Sequence, residues 1–454
     1  MKVAILGGAG ARTPLIVRAF AAWKDRIGLT ELALMDVDEG RLDLILDLIA
    51  AWQGEEALPF QLTATTDADA ALTGARYVIT TFRVGGMASR VVDERVPLRY
   101  GVLGQETTGP GGFAMAMRTI PVLLEYVERM RECCPDAWLI NFANPAGMLA
   151  EAVVRLGGWR RVVGICDTPE SMRRVAAAMT GVPPQEVFLD YFGLNHLGWA
   201  RGVRVRGEEM LPRILDALRE DLSVPGLPFD PDFLTALGLI PNEYLFYYYH
   251  TSQAVQNILA AERTRGEQIL AMNTQLFADL HRSRDAQDAE GMVRAYKEYL
   301  RQRGETYMSV ETGHRHADLP PEVAEVFIGE GYAHVALELI EGLQGGPMKE
   351  MILNLPNQGA LAGFDADDVV EVPALVARDL VRPLAVGSIP DHCFGLMKQV
   401  KAYERLTLAA VSQRSYAQAV EALALHPLVP DWTTAKAILD DFRREHGQLF
   451  PALA

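Results

Sequence analysis

Cys166 and His196 are the two side chains best suited to hold a metal. A thiolate and an imidazole together bind borderline-soft divalent ions such as Mn²⁺, Fe²⁺, Co²⁺ or Zn²⁺. Two protein ligands leave coordination positions open, as a catalytic metal site requires. Asp167 follows Cys166, Asn195 precedes His196, and Asn144 precedes Pro145. Arg83, Arg90, Glu94 and Glu106 crowd one polar stretch. The segment Pro241 to Tyr249 holds four tyrosines in six residues, beginning at Tyr244. A tyrosine beside a metal and a cationic cofactor can ionise and serve as a base.

Each of these residues also has a plain structural reading. Arg90 with Glu94 one turn on could be a surface ion pair, and Asn144 before Pro145 a turn initiator. Cys166 could be a small buried hydrophobe, Asp167 a helix N-cap, His196 a core histidine, and the tyrosines packing residues. Cys133 and Cys134 precede Pro135 at a helix end and read as structural; His314 and His316 read as surface.

The elements that must position these groups alternate strand and helix over the first 165 residues. Strands are expected at Lys2–Leu6, Leu32–Met35, Tyr77–Thr81, Trp138–Phe142 and Val162–Cys166. Helices are expected at Leu15–Trp23, Arg41–Ala51 and Met115–Arg131. That alternation implies βαβ units and a doubly wound parallel sheet, the Rossmann-like α/β class, with ligands beyond the strands' carboxyl ends. Gly7-Gly8-Ala9-Gly10 follows the first strand, and Thr13-Pro14 reads as an N-cap and first helical turn. Gly8, Gly10 and Thr13 would then meet a pyrophosphate at the helix N-terminus. Asp36, ending the second strand, would accept from a ribose hydroxyl, which favours NAD; nearby Arg41 leaves some NADP tolerance open. Beyond about residue 200 the pattern turns mostly helical, with Gln253–Leu280 and Tyr403–Leu425 as long periodic segments. Leu222–Pro231 and Gly342–Pro347 read as loops. The expected division is a nucleotide-binding domain over 1–166 and a mostly helical α+β domain over 167–454.

Composition narrows the function classes. The 454 residues carry 43 basic and 59 acidic side chains, net −16, which argues against nucleic acid or an anionic membrane as partner. Hydrophobic residues at 49% and charged residues at 22% exclude a largely disordered chain. Four cysteines do not make a disulfide framework. The run Val3–Leu6 is too short for a signal-peptide core, and no apolar stretch is long enough to span a bilayer. The expectation is a soluble cytoplasmic protein.

Taken in order, the motifs resemble glycoside hydrolase family 4, and within it the 6-phospho-β-glucosidase branch. The matching segments are Arg83–Gly86, Gly104–Gly109, Asn141–Gly147, Cys166–Pro169, Phe192–Trp199 and Pro241–Tyr249, continuing through Arg265 to His426–Val429. The resemblance implies a glycosidase outside the two-carboxylate scheme, one that needs NAD⁺ and a divalent metal, usually Mn²⁺. NAD⁺ would oxidise the sugar's C3 hydroxyl, which acidifies the C2 proton. A tyrosine would remove that proton while the metal stabilises the enediolate. The glycosidic oxygen would leave by elimination, water would add at C1, and the bound NADH would restore C3.

Carried over by position, Cys166 and His196 would be metal ligands and Tyr244 the base, with Tyr247 or Tyr248 as fallbacks. Glu106 would orient that tyrosine or raise its basicity, and Asp167 would be the acid. Gly8, Gly10, Thr13, Asp36 and Arg83 would hold the cofactor. Arg90, Asn144, Asn195 and Arg265 would hold the sugar, expected to be a phosphorylated glucoside. Homodimers or homotetramers are implied. Asp167 matches the family's phospho-α-glucosidases, whereas the tyrosine-rich segment is β-like. At Arg303–Ser309 the chain departs from the branch's Arg-Gly-Gly-Ala segment, and Glu305 there would sit poorly beside a phosphate, which leaves an unphosphorylated glycoside open. An NAD-dependent 2-hydroxyacid dehydrogenase of the lactate/malate type is the alternative enzyme. A non-catalytic NAD-binding redox sensor is a third reading, which would not need Arg90, Asn144 and Tyr244.

Overall fold

A computed structural model describes residues 1–54, 56–220, 228–313 and 331–454. Its first part runs β1 (Lys2–Leu6), α1 (Thr13–Ile27), β2 (Glu31–Met35), α2 (Glu39–Gln53), β3 (Gln61–Thr65), α3 (Ala68–Leu72) and β4 (Ala75–Thr80). It continues with α4 (Gly86–Leu98), α5 (Pro110–Cys133), β5 (Trp138–Asn141), α6 (Ala146–Arg155), β6 (Val162–Gly164) and α7 (Thr168–Thr180). Strands β1 to β6 pair in parallel in the order β6-β5-β4-β1-β2-β3. Helices cover both faces of such a sheet, so its central strands are apolar throughout; Val3 to Leu6 are fully buried. The edge strand β3, Gln-Leu-Thr-Ala-Thr, is only half-buried, and its polar text hides it from periodicity.

The second part begins with β7 (Val187–Leu194), β8 (Leu197–Val205), β9 (Glu208–Glu209), α8 (Leu211–Glu220), α9 (Pro231–Leu237) and β10 (Ile240–Pro241). Five helices follow: α10 (Phe246–Tyr249), α11 (Thr251–Ala260), α12 (Arg265–Asp285), α13 (Ala289–Glu305) and α14 (Ser309–Thr312). The chain closes with α15 (Gly331–Leu343), β11 (Lys349–Pro356), β12 (Val369–Ala377), β13 (Leu380–Pro383), α16 (Asp391–Gln413), α17 (Tyr416–Leu425) and α18 (Trp432–His446). Helices dominate this half, but its strands extend the same sheet. One 13-stranded sheet results, in which antiparallel β11, β12, β7 and β8 continue outward from β6. Around residue 166 the strand direction changes while the sheet continues.

Several boundaries moved for identifiable reasons. Thr13 is the first helical residue and Arg12 the N-cap, with no side-chain cap bond, so the expected Thr13 cap is corrected. Segment Gln253–Leu280 is two helices, because Thr264 makes a capping box with Glu267 and starts α12 afresh. Tyr403–Leu425 is broken at Arg414, which is left-handed at φ 52° and ends α16. Helix α4, which carries Arg90 and Glu94, escaped the sequence reading because Gly85-Gly86 and Pro97 punctuate it. His314 and His316, and residues 222–227 of one predicted loop, lie outside the described residues.

The two halves share cores. Leu44 and Leu48 of α2 pack with Leu276 and Leu280 of α12 and with Met292, Tyr296 and Tyr299 of α13. Buried ions tie the C-terminal helices inward. Arg118 of α5 bonds Asp93 of α4 at 2.6 and 2.7 Å, and His446 of α18 lies 2.9 Å from Asp93. Lys401 of α16 reaches Glu151 of α6 at 2.7 Å. Among the described residues no helix is long and apolar enough to cross a membrane.

Candidate active site

The glycine turn after β1 is built for close approach. Gly7 sits at φ 101°, and a Cβ there would lie 2.6 Å from Phe82 N, so only glycine fits. A Cβ on Gly8 would lie 2.8 Å from that of Leu34. Gly10 is exposed, and a Cβ there would meet nothing closer than 3.5 Å. Nothing in the protein demands glycine at 10, whereas a ligand pressed on the backbone would. Thr13 is buried beside it in the first turn of α1. Asp36 accepts from Ala9 N at 2.9 Å and from Asp38 N at 3.2 Å, so it shapes the turn while standing half-buried at its rim. Arg41 turns away and lies over the Phe277 ring at 4.1 Å. Tyr296 of α13 donates to Ala11 O at 2.8 Å, so the second half also touches this turn.

His196 occupies the turn between β7 and β8 at φ 62° and is 5% exposed. Burial pushes its pKa down to about 3, so the imidazole is neutral, the form that binds metals. Its Nδ1 lies 3.1 Å from Thr107 Oγ1. The Thr107 hydroxyl has one proton, which it donates to Gln105 Oε1 at 3.1 Å. Thr107 N and Thr108 N donate to the same Gln105 oxygen at 2.6 and 2.7 Å, which fixes the amide's orientation. With the Thr107 proton on Gln105, Thr107 accepts from His196 Nδ1–H, the tautomer in which Nε2 carries the lone pair. The Tyr244 ring stacks on this imidazole, centroids 3.6 Å apart and planes within 2°. Tyr247 meets Tyr244 edge-on at 6.0 Å, while Tyr248 turns toward His426. Of the three tyrosines considered, Tyr244 is the one stacked on His196.

Cys166 and Asp167 leave the carboxyl end of β6. Asp167 holds the N-cap position of α7, yet its side chain makes no capping bond. Its Oδ1 is 3.9 Å from Cys166 Sγ. Burial, Glu371 and Asp167 all raise the Cys166 pKa, so an ion must displace its proton to bind there. Thr168 donates to Glu243 Oε1 at 3.1 Å, and Tyr307 donates to the same oxygen at 3.4 Å. Tyr307 also hydrogen-bonds Tyr244. A continuous polar chain thus links the Cys166 turn, through Thr168, Glu243 and Tyr307, to Tyr244 and His196. Burial raises the Glu243 carboxyl to about 7, with Asp167 adding to the effect. The sequence reading passed over Glu243 and Tyr307, because their significance lies in contacts between distant segments. Among the described residues no three His, Cys, Asp or Glu side chains cluster to hold an ion. The Cys166 thiol and the neutral His196 imidazole are the two soft donors that the sequence singled out, and as a pair they would leave further positions of an ion to substrate oxygens or water.

The charged residues form one network. Arg90 of α4 bonds Glu94 and Glu106, both at 2.8–2.9 Å, and Arg83 pairs with Glu106. The Arg90–Glu94 pair is buried, not at the surface. Burial opposes ionisation of Glu106, but Arg83, Arg90 and Arg303 outweigh it and hold the carboxyl down at about 2. Glu106 is therefore ionised at neutral pH. Glu94 also accepts from Gly266 N at 2.6 Å, pinning the start of α12. Arg265 bonds the Arg303 carbonyl at 2.9 Å and Thr306 Oγ1. Burial, with Arg303 and Arg90 nearby, lowers Arg265 to about 10. Glu305 turns outward to Arg301 instead of facing this cluster. A further buried carboxyl beside the arginines, besides Glu94 and Glu106, is Glu311.

Asn195 has its amide engaged. Its oxygen accepts from Ala146 N at 3.1 Å, and its nitrogen donates to Glu371 at 3.3 Å. Glu371 of β12 also takes Tyr191 OH at 2.6 Å and Asn354 Nδ2 at 2.8 Å. Asn195 thereby holds the loop carrying half-buried Asn144 against the turn of His196.

Comparison with known proteins gives the family. The model described as family 4 glycosyl hydrolase matches residues 2–182, and that of its C-terminal domain matches 191–429. The chain is 31% identical to the 6-phospho-beta-glucosidase BglT of Thermotoga maritima, covering 99% of this chain and 100% of that one. The Thermotoga maritima 6-phospho-beta glucosidase structure with manganese, NAD⁺ and glucose-6-phosphate superposes with TM-score 0.83 at 29% identity, covering all of both chains. A 6-phospho-alpha-glucosidase from gut microorganisms, in complex with NAD and Mn²⁺, also gives 0.83, at 26% identity over 100% of this chain and 99% of that one. Malate dehydrogenase of Plasmodium falciparum shares only the fold, with TM-score 0.52 at 12% identity over 91% of this chain and 99% of that one. The dehydrogenase alternative is thus left as a distant structural likeness, and the chain belongs to glycosyl hydrolase family 4.

Proposed function

We propose that this glycosidase cleaves the O-glycosidic bond of glucosides, including the 6-phosphoglucosides named for its relatives, with β favoured over α. The single observation that carries the reading is the neutral His196, its Nε2 lone pair kept free and its ring stacked on Tyr244. Gly8, Gly10, Thr13, Asp36 and Arg83 would hold NAD⁺, and Cys166 and His196 a divalent ion, the groups named in related structures, where the ion is manganese. Bound there, they would supply reversible two-electron oxidation at the sugar's C3 and Lewis-acid stabilisation of negative charge at the neighbouring oxygens. Tyr244 removes the C2 proton, with Glu106 setting the field around it. Asp167 protonates the departing oxygen and later activates water. Arg90, Asn144 and Arg265 hold the sugar; Asn195, expected to hold it too, has its amide engaged with Ala146 and Glu371 and positions the Asn144 loop instead.

A hydrolysis panel tests the reading. α- and β-nitrophenyl glucosides and their 6-phosphates are offered with NAD⁺ and Mn²⁺. Turnover without net NADH, lost on adding excess chelator or on Cys166→Ser, is expected. NADH accumulating in proportion to substrate would overturn the reading in favour of a dehydrogenase. Assembly as a homodimer or homotetramer in the cytoplasm belongs to the same proposal, with light scattering on the purified chain as the check of assembly.

A further inference from the structure

Glu311 is a carboxylate that the reaction above does not use. It lies in α14, 5% exposed, with its backbone carbonyl held by Asn257 Nδ2 at 2.9 Å. Among the described residues no donor reaches its Oε2. The groups acting on it are its own backbone N–H, Arg90 and Glu94 of α4, Arg265 of α12 and Tyr247 of α10. Burial, and after it Glu94, push its carboxyl upward; the bond from its own backbone N–H, then Arg265 and Arg90, pull it back. Both arginines are already engaged, Arg90 with Glu94 and Glu106, Arg265 with Thr306 and Arg303.

Resting on the reading of Arg90 and Arg265 as sugar-binding residues, we propose that Glu311 sets the chemistry of the subsite for the sugar's C6 substituent. It accepts a hydrogen bond from a C6 hydroxyl, so that unphosphorylated glucosides are substrates in their own right, and it weakens binding of a 6-phosphate. A hydroxyl is donor and acceptor at once, and can bridge Glu311 to a guanidinium. A phosphate dianion offers only acceptors. It would bring no donor to Glu311 Oε2 and would set like charges together in a buried place, both of which cost binding.

The test titrates glucose and glucose 6-phosphate, by calorimetry at pH 8, into the full chain loaded with NAD⁺ and Mn²⁺. Glu311→Gln keeps the shape, removes the charge and adds a donor. The preference for glucose 6-phosphate over glucose is expected to rise about tenfold or more in this variant, and kcat/KM for the two nitrophenyl substrates to shift in parallel. An unchanged preference in folded Glu311→Gln overturns the proposal. Should that variant not fold, the unchanged protein decides. Charge-assisted phosphate contacts ordinarily give about a hundredfold or more; a smaller preference supports the proposal and a larger one overturns it. Failure of the unchanged protein to bind either sugar would overturn the placement of the subsite itself, and this inference with it.

Discussion

Tyr244 and Thr107 show how single atoms at this site can be tested. Tyr244→Phe keeps the ring that stacks on His196 and removes only the hydroxyl. The expected result is a fall in kcat of about 10²-fold or more, with stability lowered only by the roughly 1 kcal/mol of the lost Tyr307 hydrogen bond. Incorporation of solvent deuterium at C2 of the product should vanish with it. Thr107→Val keeps the volume but deprives His196 Nδ1–H of its acceptor. Manganese affinity, read by titration, should drop by roughly 10–100-fold. Glu243 carries a pH signature. Its carboxyl, raised by burial from 4.5 to about 7, keeps a proton that the unfolded chain gives up. Between those values the folded state binds more protons, so this residue lowers stability as pH rises from about 4.5 to 7, and its effect is level outside that window. Glu243→Gln should gain on the unchanged protein across the same window, by on the order of 1–3 kcal/mol at its upper end. Denaturant midpoints that move in parallel at every pH would contradict this.

At the scale of elements, α4 is the hub. One face sends Arg90 and Glu94 into the charged network, and Asp93 goes to Arg118 and His446. Arg118 and Asp93 are wholly buried, so neither can lose its partner cheaply. Asp93→Ala should destabilise the fold by about 3–5 kcal/mol, because Arg118 is left charged and unpaired. Urea unfolding measures it, and a loss under 1 kcal/mol would mean the pair contributes little. Glu94 couples that helix to α12 through Gly266 N, so the same helix that braces the core also fixes where Arg265 begins its turn. The tertiary arrangement, more than any local propensity, makes α4 a functional element.

For the whole molecule, the continuous sheet and the packing of α2 against α12 and α13 join the two halves. Unfolding by calorimetry is expected as one cooperative transition. Two separated transitions would instead support independent units divided near residue 166. A chain cut after residue 182 would lose β11, the neighbour of β6, and Tyr296, which holds Ala11 O. It should bind NAD⁺ at least tenfold more weakly than the full chain, as read by titration.

The sequence alone determined the parallel half of the sheet, because buried central strands are continuous apolar runs and their loops carry glycine where the backbone must turn tightly, as at Gly7. It also brought Cys166, His196, Tyr244 and Arg90 forward, since residue type and order are enough to name candidates for metal, base and anion contacts. Only the tertiary structure decided their states and partners. The tautomer of His196 depends on Thr107 and Gln105, some ninety residues earlier, and the ionisation of Glu106 on arginines from separate segments. Glu305 and Glu311 lie six residues apart in the same charged stretch, and no periodicity separates them. Packing sends one outward to Arg301 and buries the other among Arg90, Arg265 and Tyr247. Burial and pairing are properties of the assembled fold, set by which segments meet.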